Sequence, residues 1–499
     1  MTPNPPRVDP ALVTALRADL RASRFTVAGV TELLGPMASA ALDREQALPA
    51  RRVAAASTEP CATLIRLFTL GDPVDAAEAE AALPTLGVEG AVSLGLLAPE
   101  GDGVVAQCDV RPYAADDVDW WVASDLGELA TGRPLREDHV LGIGGASATL
   151  AAWTPRPHVG RALDLGTGCG VQALHLGSHA DRVVVTDLSE RALAFARFNA
   201  ALDEADWDVR SGSMLEPVEG ERFGLVVSNP PFVITPRSGA VPLFEYRDGG
   251  AAGDAVVRDL VAAVRHHLEP GGIAQFLGNW EVPRGMTWTD RVGAWLEGTG
   301  LDAWVVQRET QDPAEYAETW ARDGGHHPGT VDFNAMYGAW LDDFAARDVE
   351  RIGFGVVTVH RPLTDREPFV DLMDVPWPVE SPMGPAVLAG LRARTWLAEN
   401  GDDVVLDRAW RCAADVHEER HTMPGASDPR VILLRQGGGL RRHVPLTTVT
   451  AAFASVCDGD LSAGAAAAAI AGLLELDGAD VSREVVAFVR DAAKDGLLL

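Results

Sequence analysis

Ala162-Leu163-Asp164-Leu165-Gly166-Thr167-Gly168-Cys169-Gly170 constrains the fold more than any other stretch of the chain. An apolar run with an acid near its end gives way to three glycines at alternate positions. Glycine accepts positive φ and has no side chain, so the pattern predicts a tight strand-to-helix turn that a ligand can approach closely. Two later apolar runs stop in the same manner. One is Arg182 to Asp187, and the other ends at Ser228-Asn229-Pro230-Pro231-Phe232. Each reads as a short buried strand. The combination predicts an α/β fold with a parallel sheet and a binding site at its carboxyl edge.

The spacing narrows the ligand. A dinucleotide fingerprint needs G-x-G-x-x-G, whereas this loop is G-x-G-x-G with Asp164 two residues before the first glycine. A carboxylate there repels a pyrophosphate and suits a cation such as a sulfonium bearing an α-amino group. Asp187 is placed to accept hydrogen bonds from ribose hydroxyls. A nucleoside-like cofactor is expected.

At these residues the chain resembles the class I S-adenosylmethionine-dependent methyltransferases. The resemblance implies a Rossmann-like, seven-stranded domain with S-adenosylmethionine as cofactor. Asp164, Gly166, Gly168 and Gly170 are then expected around its methionine part and Asp187 at the ribose, with Leu188 also among the cofactor-binding residues. Ser213 and Met214 fall where the family contacts the adenine, although the family usually carries Asp there.

Asn229-Pro230-Pro231-Phe232 matches the (D/N/S)-P-P-(Y/F/W) motif of amino-methyltransferases, which act on adenine N6, cytosine N4, guanine N2 or a glutamine amide. Such a planar nitrogen is a poor nucleophile until its two N–H groups are held. The Asn229 side-chain oxygen and the Pro230 carbonyl are expected to accept those hydrogens, with Asn229 also near the cofactor and Phe232 as a stacking face. The two prolines fix φ and remove competing donors, and Asn229 is pushed to an extended conformation. The following stretch, Phe244 to Asp254, is similar to that of HemK-type glutamine methyltransferases. Small-domain rRNA guanine N2-methyltransferases share the layout and carry Asn-Pro-Pro-Phe.

A length of 499 residues predicts several domains. The expected division is 1–137, a helical, winged-helix-like unit; 138–362, the methyltransferase domain with a helical insertion at 312–351; 363–385, a proline-rich linker; and 386–499, a second winged-helix-like α+β unit. In the first unit, Gly103 to Tyr113 reads as a hairpin arm, and the candidate recognition helix Val88 to Leu97 has no Arg or Lys. Ile143 and Gly144 lie in a glycine-rich lead-in and are candidates to touch the cofactor. Strands are expected over Gly272 to Gly278, Ala303 to Arg308 and Gly353 to His360, the last two forming an antiparallel edge.

The net charge of −30 argues against a simple nucleic-acid glove. Arg435, Arg441, Arg442 and His443, around Gly437-Gly438-Gly439, form the best candidate basic patch. Five scattered cysteines and no C-x-x-C pair fit a reducing compartment. The opening Met1 to Pro6 lacks a signal-peptide layout, so a cytoplasmic protein without a membrane segment is expected. His417-Glu418-Glu419-Arg420-His421 satisfies H-E-x-x-H, but Thr422-Met423-Pro424-Gly425 breaks any helix and no third ligand is spaced for zinc. An acidic loop is expected there, with no metal site, and His326-His327 reads as a solvated turn.

The resulting expectation is an S-adenosylmethionine-dependent N-methyltransferase. Its favoured acceptor is an exocyclic amine of an RNA base, adenine N6 or guanine N2. A protein glutamine amide is the main alternative, and a non-catalytic nucleic-acid-binding regulator the second.

Overall fold

A computed structural model describes residues 4–237, 241 and 243–499, so Met1 to Pro3 of the opening lie outside it. At its centre is an eight-stranded sheet. In chain order its strands are β1 (Val159–Leu165), β2 (Ala180–Asp187), β3 (Trp207–Ser211), β4 (Phe223–Ser228), β5 (Leu268–Pro283), β6 (Asp302–Gln311), β7 (Val349–His360) and β8 (Val370–Asp374). Their spatial order is β3-β2-β1-β4-β5-β7-β6-β8. Only β7 runs against the others in this sheet.

Two expectations need correction. The expected antiparallel pairing of β6 with β7 is present, with β7 inserted between β5 and β6, but the pair is not the edge of the sheet. An eighth strand, β8, comes from the stretch read as linker and pairs in parallel with β6. Prolines at 368 and 376 flank β8 without interrupting it, which an edge strand tolerates.

Every residue of β4 is buried, as a central parallel strand requires. Successive residues face opposite sides. Leu163, Leu165, Val184 and Val226 join the helices Ala255–Val264 and Trp288–Leu296 in one core. Ala162, Val183, Val185, Leu225 and Val227 join a second core that continues into the first unit.

That first unit is more helical than the sequence pattern implied. Val27–Leu42 and Ala47–Ala55 are additional helices, the former broken at Gly35-Pro36. The single arm expected over Gly103 to Tyr113 is two hairpins, Leu97–Glu100 with Gly103–Ala106 and Asp109–Ala115 with Val118–Ser124. The unit docks through Arg17, whose guanidinium donates to the carbonyls of Ala201 (2.9 Å) and Leu202 (2.8 Å).

The last unit has its own core, including Trp410, Phe453 and Phe488. His417 and His421 lie on a strand, Val416–Thr422, and not in a loop. Four residues along a strand separate them by roughly 13 Å, too far to share one metal ion. The candidate basic patch is neutralised: Arg435 pairs with Glu419 (2.9 Å), Arg441 with Glu380, and Arg442 with Asp495. Among the described residues no single helix is long and apolar enough to cross a membrane.

Arg394 fastens this unit to the sheet. Its guanidinium stacks 3.8 Å from the Trp304 ring on β6 and pairs with Asp371 on β8 (2.8 Å) and with buried Asp495 (2.7 Å). Arg394→Ala is expected to lower stability by about 3 kcal/mol, because the buried Asp495 carboxylate loses a partner. A fall in the urea midpoint checks this.

Candidate active site

β1 and β4 are adjacent, and the chain leaves them in opposite directions to build the two halves of the sheet. Such a switch point opens a crevice at the carboxyl edge. Leu165 pairs with Ser228, and the Ser228 hydroxyl donates to the Leu165 carbonyl at 2.7 Å. Gly166 and Asn229 follow immediately, so the glycine loop and the Asn-Pro-Pro-Phe segment emerge side by side from strands 63 residues apart in the chain.

Gly166 and Gly168 have φ of 70° and 57°, and a Cβ at either would meet nothing within 4 Å. Their bare backbone therefore faces open space. Gly170 has a packing role of its own, since a Cβ there would lie 2.6 Å from the Trp207 ring. Asp164 is 1% exposed, and its Oδ2 accepts from Thr167 Oγ1 (2.6 Å) and Ala173 N (3.1 Å). Its Oδ1 is buried without a partner among the described residues. Burial pushes its pKa up to about 7, against the lowering effect of those two hydrogen bonds.

Asp187 closes the loop from the next strand. Its Oδ2 accepts from Gly168 N (2.8 Å) and its Oδ1 from Ser189 N (2.9 Å). Each carboxylate oxygen keeps a further lone pair for a hydroxyl. Burial raises its pKa, with Glu245 adding to the effect. Leu188 beside it is 72% exposed, an apolar surface next to a polar cleft. Gly212 N donates to the Asp187 carbonyl at 3.0 Å, which brings Ser213 and Met214 to the same edge. Met214 is held at φ 46°, an uncommon conformation for a side chain of that size.

On the other side of the crevice, Asn229 Oδ1 is buried and has no partner among the described residues. Phe232 is half-buried, bridges to Asp248 and meets the edge of the Trp320 ring at 6.4 Å. The stretch after the motif thus folds back on it, with Val233 N donating to the Arg247 carbonyl at 3.0 Å. The lead-in approaches from the far side, where Glu245 N donates to the Glu137 carbonyl (2.9 Å). Gly144 caps the helix Gly145–Trp153 and faces open space, whereas Ile143 packs on the core.

These features fit a sulfonium nucleoside bearing an amino group: an orphaned carboxylate oxygen for the ammonium, two open glycines, and an acid with lone pairs for the ribose. Residues 142–292 match the methyltransferase small domain.

Residues 22–107 match a second family, described as a domain of unknown function. The release factor glutamine methyltransferase of Deinococcus radiodurans is 42% identical over 120 residues, covering 22% of this chain and 43% of that protein. That of Geobacter sulfurreducens is 37% identical over 126 residues, covering 23% and 44%. The ribosomal RNA small subunit methyltransferase C of Salmonella arizonae is 30% identical over 141 residues, covering 28% and 36%. The chain spans less than half the length of each of these relatives.

Sequence reasoning missed Asn199, which is fully buried in the helix Glu190–Leu202. Its amide exchanges hydrogen bonds with Ala123 N (2.8 Å) and the Ala123 carbonyl (2.9 Å), and donates to the Cys169 carbonyl (2.8 Å). It ties the first unit to the glycine loop of the methyltransferase domain. An asparagine at a helix position otherwise surrounded by Phe198, Ala200 and Leu202 was the available signal.

Asn199→Ala strands three buried backbone groups and is expected to cost about 2 kcal/mol of stability, read by chemical denaturation, and to weaken cofactor binding. Asp164 must be ionised to hold a cation, so below pH about 7 binding has to expel a proton. Affinity is expected to rise with pH up to that value and level off above it, by at most about tenfold per pH unit. Calorimetric titration across pH checks this, and Asp164→Asn should bind weakly with no such dependence.

Proposed function

We propose that the chain is an S-adenosylmethionine-dependent N-methyltransferase acting on a planar amine. The observation that carries this reading is the unpartnered, buried Asn229 Oδ1 beside the glycine loop. When bound, S-adenosylmethionine supplies a methyl group on a positively charged sulfur. Asp164 would hold its amino group, Gly166 and Gly168 its methionine backbone, Asp187 the ribose, and Leu188, Ser213 and Met214 the base.

Asn229 Oδ1 and the Pro230 carbonyl accept the two N–H groups of the acceptor. This localises the nitrogen lone pair, which otherwise delocalises into the ring or carbonyl. Phe232, set against Trp320, offers a flat face to the planar acceptor. Alignment of this kind supplies up to about 7 to 11 kcal/mol, so no strong base is required.

Two acceptors satisfy these contacts, an exocyclic amine of an RNA base and a protein glutamine amide. Relatives named for each match the same domain. The electrostatics favour the second: the net charge is −30, and the arginines at the triglycine turn are ion-paired. The order of helix Pro60–Leu64, strand Val74–Asp75, helices Ala76–Ala82 and Gly87–Ser93 and hairpin 97–106 supports reading the first flank as winged-helix-like. Its helix Gly87–Ser93 has no Arg or Lys, which favours protein over a nucleic-acid groove. We retain the division at residues 137, 362 and 385, with 370–374 assigned to the sheet.

Transfer of labelled methyl into deproteinised RNA and, separately, nuclease-treated protein from a strain lacking the chain tests the reading. Label in one fraction, lost with Asn229→Ala while cofactor still binds, is the expected result and names the acceptor class. Label in neither fraction, with cofactor bound, would overturn the reading.

A further inference from the structure

The helical insertion comprises Pro313–Asp323 and Val331–Ala346, between β6 and β7. Its inner face is a core of its own, in which Tyr316, Trp340 and Phe344 are fully buried with Ile234 and Val233. Ile234 lies two residues beyond Phe232, in a segment outside any helix or strand. A buried backbone without a ladder partner must find its hydrogen bonds elsewhere. Both polar groups of Ile234 find them on the insertion: its N–H donates to Tyr316 Oη at 2.9 Å, and its carbonyl accepts from Trp340 Nε1 at 2.8 Å.

The same phenol oxygen also accepts from Asn279 Nδ2 at 2.9 Å. Asn279 is 1% exposed and lies on β5, three residues beyond Phe276, the partner of Ser228. The loop that leaves β4 is therefore gripped two residues past Phe232 and referred back to the neighbouring strand. The Asn-Pro-Pro-Phe segment is anchored at one end by Ser228 and at the other by this clamp.

We propose that Tyr316 and Trp340 are positioning residues for methyl transfer: they hold the acceptor loop through Ile234, with Asn279 as the anchor on β5. The proposal rests on the amine-methyltransferase reading and makes the insertion a buttress of the acceptor site. None of the three residues touches the glycine loop through these bonds, so the clamp acts on acceptor alignment and leaves cofactor binding alone. Misplacement of a reacting group by about 1 Å costs up to roughly a hundredfold in rate.

The test uses the full chain with Tyr316→Phe and, separately, Trp340→Phe. Tyr316→Phe removes one oxygen and keeps the ring, so the core of the insertion is retained. Hydrogen exchange at the Ile234 amide is expected to accelerate about tenfold or more. Cofactor affinity should stay within about twofold, while turnover on the labelled fraction falls about tenfold or more. Trp340→Phe should lower turnover in the same way. Unchanged turnover in both variants, with only a lower melting temperature, overturns the proposal in favour of a purely structural role. If the wild-type chain transfers no methyl group, the amine reading fails by itself. The exchange measurement still decides the clamp, since unchanged protection of Ile234 in Tyr316→Phe excludes it.

Discussion

Leu165 and Ser228 face each other at the ends of β1 and β4, joined by the Ser228 hydroxyl and by the parallel ladder behind them. Both walls of the candidate site begin at that pair. Because the two strands lie at the switch point, their following loops diverge and leave a crevice, with carboxylate and glycine backbone on one wall and Asn229 on the other. Asp187 belongs to the same edge through Gly168 N, one strand further out. A slip of one residue between β1 and β4 would turn Asp164 or Asn229 away from the crevice, since side chains alternate along a strand.

The far half of the sheet overhangs that edge. β5 pairs with β4 only as far as Phe276 but continues beside β7 to Pro283. The overhang is a wall against which the insertion packs, with Asn279 offered to Tyr316. On the opposite side, Asn199 and Asp125 join the first unit to the glycine-loop side, Asp125 accepting from Val140 N and from Arg191 (both 2.9 Å). The glycine loop and the Asn-Pro-Pro-Phe loop are thus braced by different parts of the chain. That separation allows one to be perturbed without the other.

Charge is handled locally throughout. Arginines that cluster in sequence, such as 435, 441 and 442, are each spent on a carboxylate supplied by a distant segment. Buried acids are treated in two ways. Asp302 is surrounded by His360 and Arg366, which lower its pKa although burial opposes them. Asp164 has no cation paired with it among the described residues, and burial raises its pKa instead. A buried carboxylate left without a counter-charge is a costly arrangement in a folded chain, and this is what supports the proposal that a cationic cofactor is held there.

The geometry of the glycine-loop edge was legible from sequence because its constraints are local. Three glycines at fixed spacing, an acid near the end of one apolar run and an acid closing another state what backbone and charge the turn requires, whatever packs around them. The same holds for Asn229 to Phe232, whose two prolines set the backbone without outside help. What tertiary structure decided is everything that depends on partners far along the chain. β8 hid between prolines because pairing with β6 creates it, and five residues carry too little pattern of their own. The H-E-x-x-H match lost its meaning once the segment paired as a strand, and the basic patch lost its charge once Glu380, Glu419 and Asp495 arrived. The clamp on Ile234 joins residues 82 and 106 positions apart. Local sequence specifies dihedral angles and side-chain chemistry; which donor meets which acceptor across such separations is settled only when the sheet and the insertion have packed.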